Sequence, residues 1–190
     1  AVLLAALTGG TDTIAHLIDT VLGRYAANTA LLIVLVSLGT FAVGVGAAWL
    51  VTMTSFPAVR FFEIALVVPL AFPAYVLAYA YTSILDHPGI VQSTLRATMG
   101  WGPRDYWFPE IRSLGGAALM LVLVLYPYVY LLARASFLQQ SGSTFVAARA
   151  LGSRPWAAFL KVSLPLARPA IAAGVLLAVM ETIADFGTVS

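Results

Sequence analysis

The 190-residue chain is 61% hydrophobic and only 9% charged, with a net charge of +2, whereas soluble domains average about 25% charged residues. That deficit excludes a soluble globular domain and identifies an all-α, polytopic integral membrane protein. With no cysteine in the chain, disulfides, thiolate metal sites and thiol catalysis are excluded as well.

In chain order, residues 1–10 carry no basic stretch of the signal-peptide kind. The sequence starts without Met and stops at Ser190 inside an apolar run, so both ends are expected to be truncations. A bilayer core about 30 Å thick needs roughly 20 apolar residues in a helix, and four windows meet that length. The first, residues 29–53, lies in a charge-free interval between Arg24 and Arg60. Its small residues Ala42 with Gly46, and Gly44 with Ala48, recur at i, i+4 and predict close packing. Gly44-Val45-Gly46 lacks the rest of a dinucleotide-binding fingerprint.

The second window, residues 64–85, is bounded by Glu63 and Asp86 and contains Pro69 and Pro73. Each proline removes a backbone hydrogen bond and kinks a membrane helix; the bend is either a hinge that shapes a pathway or a static packing kink. Tyr75 and Tyr79, four apart, share one helix face, as do Tyr126 and Tyr130. Such pairs line a polar path or bond between helices. Residues 86–112 form a connector containing WGPRDYWFPE. Trp101, Tyr106, Trp107 and Phe108 fit an aromatic belt, and residues 85–99 predict a short amphipathic helix on the membrane surface. The third window is residues 113–133.

Residues 134–168 form a connector with Arg134, Arg149, Arg154, Lys161 and Arg168 and no acid. The 86–112 connector balances three arginines with three acids. Lys and Arg concentrate in cytoplasmic loops, so 134–168 is expected inside and 86–112 outside. Parity then puts residues 54–61 inside and 11–27 outside, and calls for one further span before Ala1 if the true N-terminus is cytoplasmic. Within the basic connector, Ser143 is expected to cap a helix over 145–151 that Gly152 ends. Ser153 then caps a second short helix with Pro155 in its first turn, which ends near Ser163, before Pro165. Two folded turns around a glycine are a socket for a cytoplasmic partner, which a plain loop would not need.

The fourth window starts at Pro169 and holds Glu181 and Asp185. At about 1.5 Å per residue they lie roughly 18 and 24 Å along the helix, in the outer half of the bilayer and on one face. Intramembrane acids are expensive and usually face a bundle interior or a water-filled cavity. They either line a cation path or bond to neighbouring helices, with Asp185 interfacial in the second case.

Ala147, Ala148, Gly152, Leu164 and Pro165 fall at the spacing of the EAA motif, Glu-Ala-Ala-x3-Gly-x9-Ile-x-Leu-Pro, with Val162 at the Ile position and Val146 where the Glu belongs. The chain therefore resembles the permease subunits of binding-protein-dependent ABC importers. AYVLAYAYTSILDHPGIVQ, DYWFPEIRSLGGAALMLVLVLYPYVYLLARA and METIADFGTVS are similar to the N-terminal half of the two-repeat ferric iron permeases. The resemblance implies the importer transmembrane-domain fold in an inner membrane. It implies that Val146, Ala147, Ala148, Arg149, Gly152, Val162, Leu164 and Pro165 form the loop gripped by a dimer of ATP-binding subunits. It implies an external substrate-binding protein, a second permease unit in the same full-length chain, and ferric iron as cargo. Permeases for thiamine, sulfate, phosphonate or polyamine share the fold and the loop.

No P-loop is present, so ATP hydrolysis is expected on a separate subunit. No cofactor, no metal site at His16 or His87, and no nucleic-acid partner is expected. A secondary transporter without an ATPase and a membrane-embedded enzyme are the rival classes. The basic connector and motif spacing speak against the first, and the lack of a nucleophile–base set speaks against the second.

Overall fold

A computed structural model describes residues 23–103, 105–140, 150, 152 and 154–189. Every regular element among them is helical. The charge-free run forms one long helix, α1 (Gly23–Met53). Two of its hydroxyls are satisfied within the helix: buried Thr40 donates to the Val36 carbonyl at 2.7 Å, and Thr52 to that of Ala48 at 2.7 Å. This return of hydroxyls to the backbone is what apolar surroundings require.

The central element is α5 (Leu114–Gln139). Ser113 caps it, its Oγ accepting from the Gly116 N–H at 3.1 Å. Pro127 sits inside this helix, fully buried. α1 lies alongside in the same direction: a Cβ on Gly39 would meet Val122, and one on Gly44 would meet Val129 at 2.7 Å and the Tyr126 carbonyl at 3.0 Å. The helix after the basic connector, α7 (Leu164–Val189), runs the other way. Its Ala167 belongs to the cluster around Ala133 and Phe137, its Ala178 to the cluster around Leu125. Between them a Cβ on Gly174 would stand 2.8 Å from the Val129 backbone. Val129 is thus clasped by glycines from two helices, the close approach that small residues permit in a membrane. Gly44 and Ala48 pack as expected; Ala42 is exposed and Gly46 meets nothing within 4 Å, so the second small-residue pair faces away from this core.

Because α1 and α5 are parallel, the chain between them must return to the starting end of the bundle. It does so through a broken stretch rather than one helix over 64–85. Helix α2 (Val59–Ala65) leads into a 3-10 turn, Val68–Ala71; after Pro73 the chain resumes as α3 (Ala74–Leu85). The arms Val59–Ala71 and Ala74–Met99 meet at 104°. Neither Pro69 nor Pro73 has an N–H to give, so two ladder bonds are lost within five residues, and Phe72 turns extended. The expected kink is a full break.

The second departure follows the connector. A stop before Pro165 and a fresh start at Pro169 were expected, yet α6 (Pro155–Ala158), a π turn (Phe159–Ser163) and α7 follow without interruption. The wide turn explains this: the Leu164 N–H bonds to Phe159 O, five residues back. The extra residue per turn gives the Pro165 ring room that a regular helix denies it. The helical run 155–184 is long and apolar enough to cross a membrane, as are α1 and α5, and the bent pair makes a fourth candidate crossing.

Candidate functional site: connector end, broken span and outer cap

At the basic end, Gly152 adopts φ +86°, and among the described residues a Cβ there would meet nothing within 4 Å. The turn therefore needs glycine for its backbone angle and not for space. The cap position of the following helix is Arg154, extended at φ −64°, ψ 150°, with Pro155 next; the expected cap, Ser153, lies outside the described residues. Val146, Ala147 and Ala148, with Arg149, Ser143 and the expected 145–151 helix apart from Ala150, lie outside them too. Val162, Leu164 and Pro165 are half-buried on the π turn and the start of α7.

This segment is locked to the bundle by aromatic rings. Trp156 meets Trp49 of α1 edge-on at 5.5 Å, and Phe159 packs on Trp49 at 5.3 Å and on Phe137 of α5 at 5.9 Å. Gln140 Nε2 donates to the Ser163 carbonyl at 2.9 Å. One helical turn away, Arg134 pairs with Glu63 at 3.3 Å, and the buried Tyr130 hydroxyl donates to the Glu63 carbonyl at 3.3 Å. Tyr130 thus bonds between helices, the second of the roles open to it in the sequence. The ring cluster carried no signal in the sequence, because Trp49 lies far along the chain from Phe137, Trp156 and Phe159.

Midway along α5, the break in the second span opens a cavity of about 170 Å³. Pro69, Leu70, Phe72 and Pro73 form one wall; Tyr128 of α5 and Glu181 of α7 lie opposite. Glu181 is half-buried. Asp185 follows one turn later on α7, and its side chain lies outside the description. Tyr75 and Tyr79 do not join this cavity: they are 72% and 77% exposed on the far face of α3.

The 86–112 connector is a folded cap. Its amphipathic helix, α4 (Ile90–Met99), ends at left-handed Gly100. Arg112 donates twice to Asp86 Oδ2, at 2.9 and 3.1 Å. Arg96 donates to the Tyr106 hydroxyl at 2.8 Å, which donates to Gln92 at 2.8 Å, which donates to the Leu85 carbonyl at 2.8 Å. The His87 N–H, joined by Arg112, holds the Asp86 carboxyl below its usual range. Of these, Asp86, His87, Gln92, Tyr106 and Arg112 line a cavity of about 290 Å³. Trp101 stacks on Tyr106 at 5.6 Å, while Trp107 is fully presented outward.

The bundle, its broken crossing and its basic, glycine-turned segment define a polytopic helical membrane protein of the transport class. Residues 39–190 match the family of binding-protein-dependent transport system inner membrane components, and the chain belongs to that family. The Fe(3+)-transport system permease protein FbpB 2 of Haemophilus influenzae is 27% identical over 189 residues, covering 100% of this chain and 33% of that protein. The molybdenum transport system permease protein ModB of Escherichia coli K12 is 28% identical over 144 residues, 76% of this chain and 60% of its own length. A probable sulfate transport system permease protein, cysT of Chlorokybus atmophyticus, is 28% identical over 149 residues, 77% of this chain and 48% of its own. The chain thus spans a third to three fifths of the length of these relatives.

Proposed function

We propose that this chain is part of the permease of an ATP-driven importer and that ferric iron is its cargo. The observation that carries the transport reading is the connector. A left-handed Gly152 turn leads into a proline-started helix, and aromatic packing ties that helix to α1 and α5. Segments 146–149, Gly152, Val162, Leu164 and Pro165 form the docking surface for a dimer of ATP-binding subunits on the cytoplasmic side. Val146 stands where the motif has a carboxylate.

Movement of that surface reaches the spans through Trp156 and Phe159 and switches the path between outward and inward access. The outer cap receives an external substrate-binding protein, and a second permease unit covers the exposed faces of α1, α3 and α7, with Tyr75 and Tyr79 on the wall of the path. Iron is favoured by the match to an iron permease over the whole of this chain and by Glu181 and Asp185 in α7. Molybdate and sulfate are the competing cargoes, from relatives of similar identity.

The test is co-isolation. Full-length protein purified in mild detergent is expected to bring an ATP-binding subunit with it. Purification that never recovers one, together with uptake that persists without ATP, would favour the secondary-transporter reading.

A further inference from the structure

The break in the second span frees backbone oxygens from the helical ladder. The carbonyls of Leu70, Ala71 and Phe72 accept no backbone hydrogen bond among the described residues, since the N–H groups of Val76 and Leu77 both go to Pro73. Hydrocarbon tolerates such backbone only where it lines a water-filled cavity or is covered by protein. Leu70 and Phe72 line the cavity that holds Glu181. Glu181 in turn forms no ion pair or hydrogen bond among the described residues, although a carboxylate at this depth ordinarily has a partner. Among the described residues, no Lys, Arg or His lines the same space.

A carboxylate with no partner among the described residues, in a cavity walled by Leu70 and Phe72 whose carbonyls leave the helical ladder, offers the oxygen ligands of a hard cation. Discontinuous membrane helices place cation sites at such breaks. An oxyanion would meet repulsion from Glu181 and find no basic side chain. The site is also sparse: among the described residues no three His, Cys, Asp or Glu come together. A transport site must hold its cargo weakly enough to release it, and a single carboxylate with neutral oxygens does that.

We propose that this cavity is a transient site for a hard, oxygen-seeking cation in transit, with Glu181 supplying the charge and the carbonyls of the break the neutral ligands. The proposal rests on the importer reading and deepens it: it places the point in the path where cation cargo is told from oxyanion.

The experiment uses the full-length permease with its ATP-binding subunits in lipid nanodiscs, and terbium(III) as the probe, a hard cation whose emission a neighbouring tyrosine sensitises. Tyr128 lies on the cavity wall. The expected result is a saturable, Tyr-sensitised component whose affinity falls at least about tenfold in Glu181→Gln and is largely kept in Glu181→Asp. A ferric chelate competes for it and molybdate does not. Should Glu181→Gln fail to assemble, Ala74→Val narrows the cavity with the carboxylate in place and carries the same expectation.

Terbium binding unchanged in assembled Glu181→Gln, with wild-type iron uptake intact, overturns this site and leaves the importer reading standing. Glu181-dependent terbium binding in a wild-type protein that takes up molybdate and no iron overturns both the iron reading and the in-transit role of the site, leaving a cation-binding cavity alone.

Discussion

Gly152 shows how a single backbone angle can carry function. Its φ of +86° is open to glycine and costly to side chains branched at Cβ, by about 1–2 kcal/mol. Among the described residues nothing lies within 4 Å of a Cβ at the position, so a substitution there is expected to act through the backbone. Gly152→Val is expected to leave membrane insertion intact and to lower ATP-coupled uptake several-fold, by misplacing the docking surface relative to Pro155. Gly152→Asn, which tolerates the left-handed region, is expected to retain most of the activity. Uptake and binding-protein-stimulated ATP hydrolysis in proteoliposomes check both. Equal, normal activity in the two variants would mean that the turn takes no part in coupling. Arg134 is a second residue of this kind: its pair with Glu63 ties the end of α5 to α2, while its Nε is buried without a partner. That donor is a polar group whose satisfaction must come from outside the described residues.

Among the elements, the folded 86–112 cap has the clearest electrostatic signature. Asp86 closes the α3 end of the cap onto Arg112, and its carboxyl is held below the usual value of 3.8. A depressed carboxylate contributes stability that is fully present above its unfolded value and is lost as pH falls through the folded one. The cap is therefore expected to hold steady from neutral pH down to about 4 and to loosen below it. Hydrogen exchange of α4, corrected for intrinsic rates, measures this. Asp86→Asn is expected to show the loosened pattern already at pH 7, and identical protection in variant and wild type across the range would remove Asp86 from the account.

Much of the element order was legible in the sequence. α1 and α5 are charge-free or nearly so over the length of a bilayer, and hydropathy alone finds them. The break at 66–73 was legible as two prolines but not as a 104° turn, because that angle is set where Ala74, Leu77 and Tyr81 pack on α5. Pro165 was misread because a local rule met a π turn, whose extra residue no propensity scale encodes. Glu181 was legible as an acid in an apolar run. The walls of its cavity were not, since they depend on the α5–α7 register that Gly174 and Val129 establish. Tyr75 and Tyr79, one face in sequence, proved to share that face without sharing the cavity.

At the scale of the molecule, the described bundle has one well-covered helix, α5, and large apolar residues exposed on the others: Leu38, Tyr79, Leu176 and Met180 are each more than half exposed. Lipid covers some of this surface, and in the proposed assembly a second permease unit covers the rest. The glycine contacts at Val129 hold α1, α5 and α7 as one rigid group. The broken second crossing hangs on that group through α3 and the Glu63–Arg134 pair. In the proposed importer, the rigid trio would carry motion from the basic connector, and the jointed crossing would open or close beside Glu181.

The central claim is that this division serves ATP-driven import of ferric iron. The measurement that tests it most directly is uptake of radiolabelled ferric iron into proteoliposomes holding the full-length permease and its ATP-binding subunits, with the external binding protein and ATP supplied on their proper sides. The account predicts iron accumulation that requires both ATP and the binding protein and that excess molybdate or sulfate leaves unchanged. Accumulation of molybdate or sulfate in place of iron, or iron entry indifferent to ATP, would contradict it.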